Sequence, residues 1–162
     1  VNGSRWYFIS STWNFWAIFE NKSLYTGIIV DGVHSHYGSV KIAKDILKEK
    51  LFLVTDAVAP VGTNMESFMF EGNKVLYKDG KCISPDGTLG GSALTMIEGV
   101  QNLVKHVGVS LEEALLMAST YPAKAVKVDN EYGYVKEGYI ADLVILDKEL
   151  NISNMIVKGE YK

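Results

Sequence analysis

A chain of 162 residues with a formal net charge of −3, one cysteine, three histidines and three prolines can form one domain with a packed core, or a piece of a larger protein. Its 16 basic against 19 acidic residues exclude the basic surface of a nucleic-acid binder, and a hydrophobic share of 48% excludes a disordered chain. Cys82 stands alone, which excludes a disulfide framework and a cysteine zinc site and fits a reducing cytoplasm.

The N-terminal stretch differs in composition from the rest. Trp6, Trp13 and Trp16 all fall within it, and up to Phe19 the only charge is Arg5, the sole arginine. Ser10, Ser11, Thr12 and Asn14 interrupt the apolar run, which falls short of the roughly 20 apolar residues that cross a bilayer. The expectation is neither a membrane span nor a signal peptide. Residues 1–17 read as a segment foreign to the remainder of the sequence, and the chain as a fragment.

From residue 20 onward the elements take a regular order. Gly27-Ile28-Ile29-Val30 is a short β-branched run without alternation, as in a strand buried on both faces of a parallel sheet. Ile42, Ala43, Ile46 and Leu47 repeat as one face of a helix with lysines opposite. Leu51-Phe52-Leu53-Val54 is a second buried strand, and the three pieces make a βαβ unit. Residues 60 to 91 carry turn signals at Glu71-Gly72-Asn73, Lys78-Asp79-Gly80 and Pro85-Asp86-Gly87, which predicts an inserted antiparallel meander. A glycine pair, Gly90-Gly91, then leads into a helix with Ala93, Met96, Ile97, Val100, Leu103, Val104 and Val107 on its core side, ending at Gly108. Ser110 and Glu113 have capping-box spacing for the next helix, which turns Leu111, Ala114, Leu115 and Ala118 inward. Pro122 opens a third short helix through Val126. Strands return at Tyr139 to Asp147 and Met155-Ile156-Val157.

Three places can carry chemistry. His34 and His36, two apart at a strand end, point the same way and could share a metal; the other reading is a loop histidine that contacts substrate or is solvated. Asp56, directly after a buried strand, is either a turn cap or a general base held on a rigid element. The small-residue loop Ala57-Val58-Ala59-Pro60-Val61-Gly62 leaves space above it. Thr88-Leu89-Gly90-Gly91-Ser92 is either a plain turn or a backbone cradle at a helix N-terminus.

Asp31-Gly32-Val33-His34, Thr55-Asp56-Ala57-Val58-Ala59-Pro60-Val61-Gly62 and Gly87-Thr88-Leu89-Gly90-Gly91-Ser92-Ala93-Leu94-Thr95-Met96 together resemble the N-acetylglucosamine-6-phosphate deacetylase family of the metal-dependent amidohydrolase superfamily. Tyr121-Pro122-Ala123 and Gly138-Tyr139-Ile140-Ala141-Asp142-Leu143 resemble the superfamily's C-terminal signature, so the likeness runs over about residues 20 to 162. It implies an α/β fold, with 18–128 as the last two βα units of a (β/α)8 barrel and 129–162 as the C-terminal strands of a small β-sandwich. It makes Asp56 the catalytic base, taking a proton from a metal-activated water as the acetamide carbonyl is attacked and returning it to the leaving amine. It assigns Asp31, Gly32, Val33 and His34, and Leu89, Gly90 and Gly91, to substrate binding, and gives His36 no metal role. The family's metal ligands, a glutamate and two histidines for a divalent ion of the zinc or iron class, correspond to no residue of this chain. The implied setting is a cytoplasmic, homodimeric parent enzyme acting on a small amino-sugar phosphate, with neither nucleic acid nor membrane as partner. The isolated chain is then expected to be inactive. The alternatives are an amidohydrolase for a related amide, or a non-catalytic remnant of a truncated gene.

Overall fold

The computed structural model of the chain describes residues 7–8, 18–21, 23–70, 72–78 and 80–162. The expectation for residues 1–17 lies outside the described residues, apart from the backbone of Tyr7 and Phe8. Glu71 and Asp79 of the turn signals lie outside them too.

The strands β1 (Tyr7–Phe8), β2 (Thr26–Ile29) and β3 (Leu51–Val54) form a parallel sheet in that order. Parallel neighbours cannot be joined by a hairpin, and the crossover between β2 and β3 is α1 (Tyr37–Leu47), followed by a 3-10 turn at Lys48–Lys50. Ile28, Leu51 and Leu53 from the strands, and Val30 just after β2, pack with Val40, Ala43 and Leu47 of α1 in one core. The buried stripe of α1 differs from the expected one. Val40, Ala43, Lys44 and Leu47 are buried, whereas Ile42 is 57% exposed. The helix is turned so that Lys44 lies inside. Its ammonium pairs with Glu113, donates to the Lys48 carbonyl at 2.8 Å and sits 5.0 Å from the centre of the Tyr121 ring.

The expected meander is present as β4 (Ser67–Phe70), β5 (Asn73–Lys78), β6 (Lys81–Ile83) and β7 (Leu89–Ser92), antiparallel and paired in chain order. Phe70 lies opposite Asn73 and Lys78 opposite Lys81, so two tight turns carry Gly72 and Gly80 at φ +81° and +76°. Such turns demand positive φ, which glycine adopts without steric cost. The glycine pair does not open a helix as the sequence predicts. Gly90 and Gly91 lie inside β7, because Ser92 stays extended between β6 and the segment after β3. The helix starts later, at α2 (Met96–Asn102), behind a complete capping box in which Thr95 and Glu98 bond each other's backbone N–H.

The end of α2 widens into a π turn over Leu103–Val107, closed by Gly108 at φ +80°. Met96, expected in the core, is 41% exposed in the first turn and borders a cleft of about 440 Å³ between α2 and the C-terminal sheet. In α3 (Leu111–Ala118) Ser110 caps the Glu113 N–H at 3.2 Å, but the reciprocal half of the predicted box is missing. The Glu113 carboxylate is turned to Lys44 and to the Tyr121 hydroxyl, which donates to it at 2.9 Å. That rotation buries Ala114 and Met117 and leaves Leu111 and Leu115, both expected inside, each 39% exposed. The next helix, α4 (Thr120–Val126), keeps Pro122 in its first turn, where the missing N–H costs no helical bond. The chain ends in an antiparallel sheet of β8 (Leu143–Leu146), β9 (Ile152–Val157) and β10 (Glu160–Tyr161), ordered β10-β9-β8. Among the described residues no helix is long and apolar enough to cross a membrane.

Burial works to raise the Glu113 carboxyl, but hydrogen bonds from Lys44 and Tyr121 and the Lys44 charge outweigh it and hold the group below its ordinary value of 4.5. A carboxyl lowered in the folded state stabilises above its unfolded pKa, and that contribution is lost as pH falls through the folded one. Glu113→Gln is therefore expected to destabilise the chain at pH 7 and to bring variant and wild type together below the ordinary glutamate range. Urea unfolding followed by circular dichroism at both pH values checks this.

Candidate active site

The parallel register sets the geometry. Thr26 lies opposite Leu51 and Ile29 opposite Val54, so Asp31 and Asp56 each follow their strand by two residues and leave adjacent strands at the same level. In open parallel sheets and α/β barrels, sites are built at this carboxyl end of the strands.

The two aspartates have opposite fates. Asp31 is folded back onto its own loop. Its Oδ1 accepts the backbone N–H of Val33 at 2.9 Å and of His34 at 2.8 Å, and its Oδ2 lies 2.6 Å from His34 Nδ1. Burial pushes the Asp31 carboxyl up, and the His34 hydrogen bond together with the two backbone N–H bonds and the His34 charge more than reverses it, for a net lowering. Asp56 is exposed, and among the described residues its carboxylate has no hydrogen-bond partner. Of the two readings of Asp56, the turn cap is not made, and the capping turn occurs at Asp31 instead.

Asp56 also sits at φ +52°, a left-handed backbone that a residue with a Cβ enters at a cost. The third element holds it there. Ser92 N–H donates to the Asp56 carbonyl at 2.9 Å and Val58 N–H donates to the Ser92 carbonyl at 3.0 Å, with Ala57 and Ser92 bridged in parallel. Pairing between β6 and β7 slips from Lys81–Ser92 to Ile83–Leu89, three steps against two, so one extra residue bulges at Gly90-Gly91. Gly91 stands at φ +89°, and a Cβ there would lie 2.5 Å from Val58 Cγ1 and 3.3 Å from the Asp56 carbonyl. Of the segment 89–91, Gly91 is thus brought against Asp56, through strand and bulge and not through a helix N-terminus.

The two histidines part company. His34 turns to Asp31, while His36 is the N-cap of α1 and accepts the Gly38 N–H on its Nδ1 at 3.1 Å. Among the described residues no three His, Cys, Asp or Glu side chains gather as a metal site. Gly32 runs at φ +74°, and a Cβ there would lie 2.9 Å from the Tyr37 ring, which stacks on His106 with centroids 4.7 Å apart. From α2, Asn102 Nδ2 donates to the Val30 carbonyl at 2.8 Å. Tyr37, His106 and Asn102 carry no signal of this in the sequence beyond their polarity beside an apolar stripe. What Asn102 meets lies 72 positions away.

Residues 23–162 match the model of the Amidohydrolase family. An N-acetylglucosamine-6-phosphate deacetylase of Haemophilus influenzae is 40% identical over 144 residues, covering 88% of this chain and 38% of that protein. A putative N-acetylgalactosamine-6-phosphate deacetylase of Escherichia coli K12 is 31% identical over 140 residues, covering 86% of this chain and 84% of that protein. The crystal structure of N-acetylglucosamine-6-phosphate deacetylase from Pasteurella multocida superposes with a TM-score of 0.87 at 45% identity, over 90% of this chain and 38% of that one. The chain spans a little over a third of the length of the Haemophilus and Pasteurella proteins.

Gly91→Ala is expected to cost about 2–4 kcal/mol, from the left-handed backbone and the overpacking against Val58. It should also release the Ser92 amide. Chemical denaturation reads the first effect, and faster hydrogen exchange at Ser92 N–H than at Leu53 N–H reads the second.

Proposed function

This chain belongs to the Amidohydrolase family, and from that premise we propose that it carries the general base and part of the substrate wall of an enzyme that hydrolyses N-acetylglucosamine 6-phosphate to glucosamine 6-phosphate and acetate. The observation that carries the reading is the free Asp56 carboxylate, held on strained backbone at the end of a buried strand beside a second strand end with His34. A carboxylate with no partner of its own is available to a reacting water. Asp56 takes one proton as the water oxygen bonds to the acetamide carbon. It gives that proton to the nitrogen as the C–N bond breaks, which leaves the amine and acetic acid, whose remaining proton passes to the amine to give acetate. His34 meets a polar group of the sugar or its amide, and the bulged backbone of Leu89, Gly90 and Gly91 lines the other side.

Amidohydrolases are generally metal-dependent. The divalent ion of the zinc or iron class that the family implies does not fit the described residues. Among the described residues no three His, Cys, Asp or Glu side chains gather to hold an ion, and His36 turns its Nδ1 to the Gly38 N–H. We therefore infer that residues 18–128 act as the last two βα units of a (β/α)8 barrel whose other strands hold that ion. On the same reading β8–β10 form one half of a small sandwich. Their exposed Val144, Ile152 and Met155 support a sheet that is covered in the complete enzyme. The homodimer that the resemblance implies belongs to this proposal as well, and so does a chain that is inactive when isolated.

The test is a chimera in which residues 23–162 replace the matching part of the Haemophilus enzyme. It is expected to release acetate from N-acetylglucosamine 6-phosphate, and Asp56→Asn should lower kcat by about 10²–10⁴ with little change in KM. The galactosamine epimer is assayed alongside, because the Escherichia coli relative bears that name. A folded chimera that prefers neither substrate over background, or an Asp56→Asn variant with unchanged kcat, overturns the reading.

A further inference from the structure

We propose that Asp31 is a positioning residue for His34: its carboxylate accepts a hydrogen bond from Nδ1–H of the imidazole and so presents Nε2 as a bare acceptor for a hydroxyl or amide N–H of the ligand. The ligand class rests on the deacetylase reading, but the orientation of the ring does not. Both oxygens of Asp31 are committed within the loop, Oδ1 to two backbone N–H groups and Oδ2 to His34 Nδ1. A carboxylate has no proton to give, so the ring nitrogen facing it must carry one. Among the described residues Nε2 of His34 has no partner.

The surroundings hold this pair more firmly than a solvated surface turn requires. Asn102 tethers the carbonyl of Val30, the residue before Asp31. The Tyr37 ring packs under Gly32 and on His106, and His36 closes the loop by capping α1. The side chains of His34 and Asp31 are only 14% and 11% exposed. His36 is the built-in opposite case. Its Nδ1 accepts the Gly38 N–H, so its own proton sits on Nε2. Two histidines two residues apart are therefore held with the proton on opposite nitrogens.

Asp31→Asn reverses the arrangement through a fixed geometry. The two backbone N–H groups keep the remaining carbonyl oxygen at the Oδ1 place, which puts the amide NH₂ where Oδ2 stood. That NH₂ donates, so Nδ1 of His34 must become the acceptor and the proton moves to Nε2.

The test uses the whole 162-residue chain labelled with ¹⁵N, reading long-range ¹H–¹⁵N ring correlations at about pH 8, above the ordinary histidine range. With three histidines the signals are separable. The expected result is a proton on Nδ1 of His34 and on Nε2 of His36, with the Nδ1-protonated share of His34 falling by about half or more in Asp31→Asn while His36 and His106 stay unchanged. A wild-type His34 with a bare Nδ1, or a variant whose His34 signal does not move, overturns the proposal. The wild-type spectrum decides even where the variant fails to fold. Because it is recorded without substrate, a wrong tautomer leaves the deacetylase reading standing, whereas an inactive chimera overturns that reading and leaves the tautomer intact.

Discussion

The candidate site depends on the parallel register of Thr26–Ile29 against Leu51–Val54. A parallel pair needs a crossover, and α1 supplies it while covering the strands with Val40, Ala43 and Leu47. Ile28 and Leu53 are paired and buried in that register, packed in one core with α1. With the register set, the chain leaves both strands at one level, and two aspartates arrive together without any contact between their own side chains being needed.

What separates those aspartates is local backbone chemistry. Asp31 precedes a glycine that runs at positive φ, and its carboxylate closes an Asx-type turn over Val33 and His34. Asp56 is itself the residue at positive φ, and among the described residues its carboxylate has no hydrogen-bond partner. Strain of this kind persists only where the surroundings over-determine it. Here the paired hydrogen bonds between Ser92 and the Asp56–Val58 segment do so, and Gly91 is what lets β7 come close enough to make them. The meander is in this sense part of the site, and its buried Val75 packs against Gly90 of the bulge.

At the far end of the same strands a different polar cluster sets the packing of the helices. Lys44, Glu113 and Tyr121 join α1, α3 and α4, and their mutual bonds offset the cost of taking a lysine out of water. This cluster explains why both helices are rotated from their apolar patterns. Ile42, Leu111 and Leu115 lose burial so that Lys44 and Glu113 can meet.

The sequence by itself determined the order of elements, the two buried strands, the meander with its tight glycine turns, and the strand-end residues Asp31, His34 and Asp56. All of these obey local rules: β-branched runs, helical spacing and turn residues act over a few neighbours. Local pattern misleads wherever the deciding partner is remote. The Gly90-Gly91 pair reads as a helix lead-in from its neighbours, yet Ser92 is held extended by Asp56 and Val58, more than thirty positions upstream. Ser110 and Glu113 have the spacing of a capping box, but Lys44 claims the carboxylate. Only the tertiary structure decided which strand-end aspartate is engaged and which is free, because that depends on the sign of φ at one residue and on hydrogen bonds from another strand, neither of which is written in local composition.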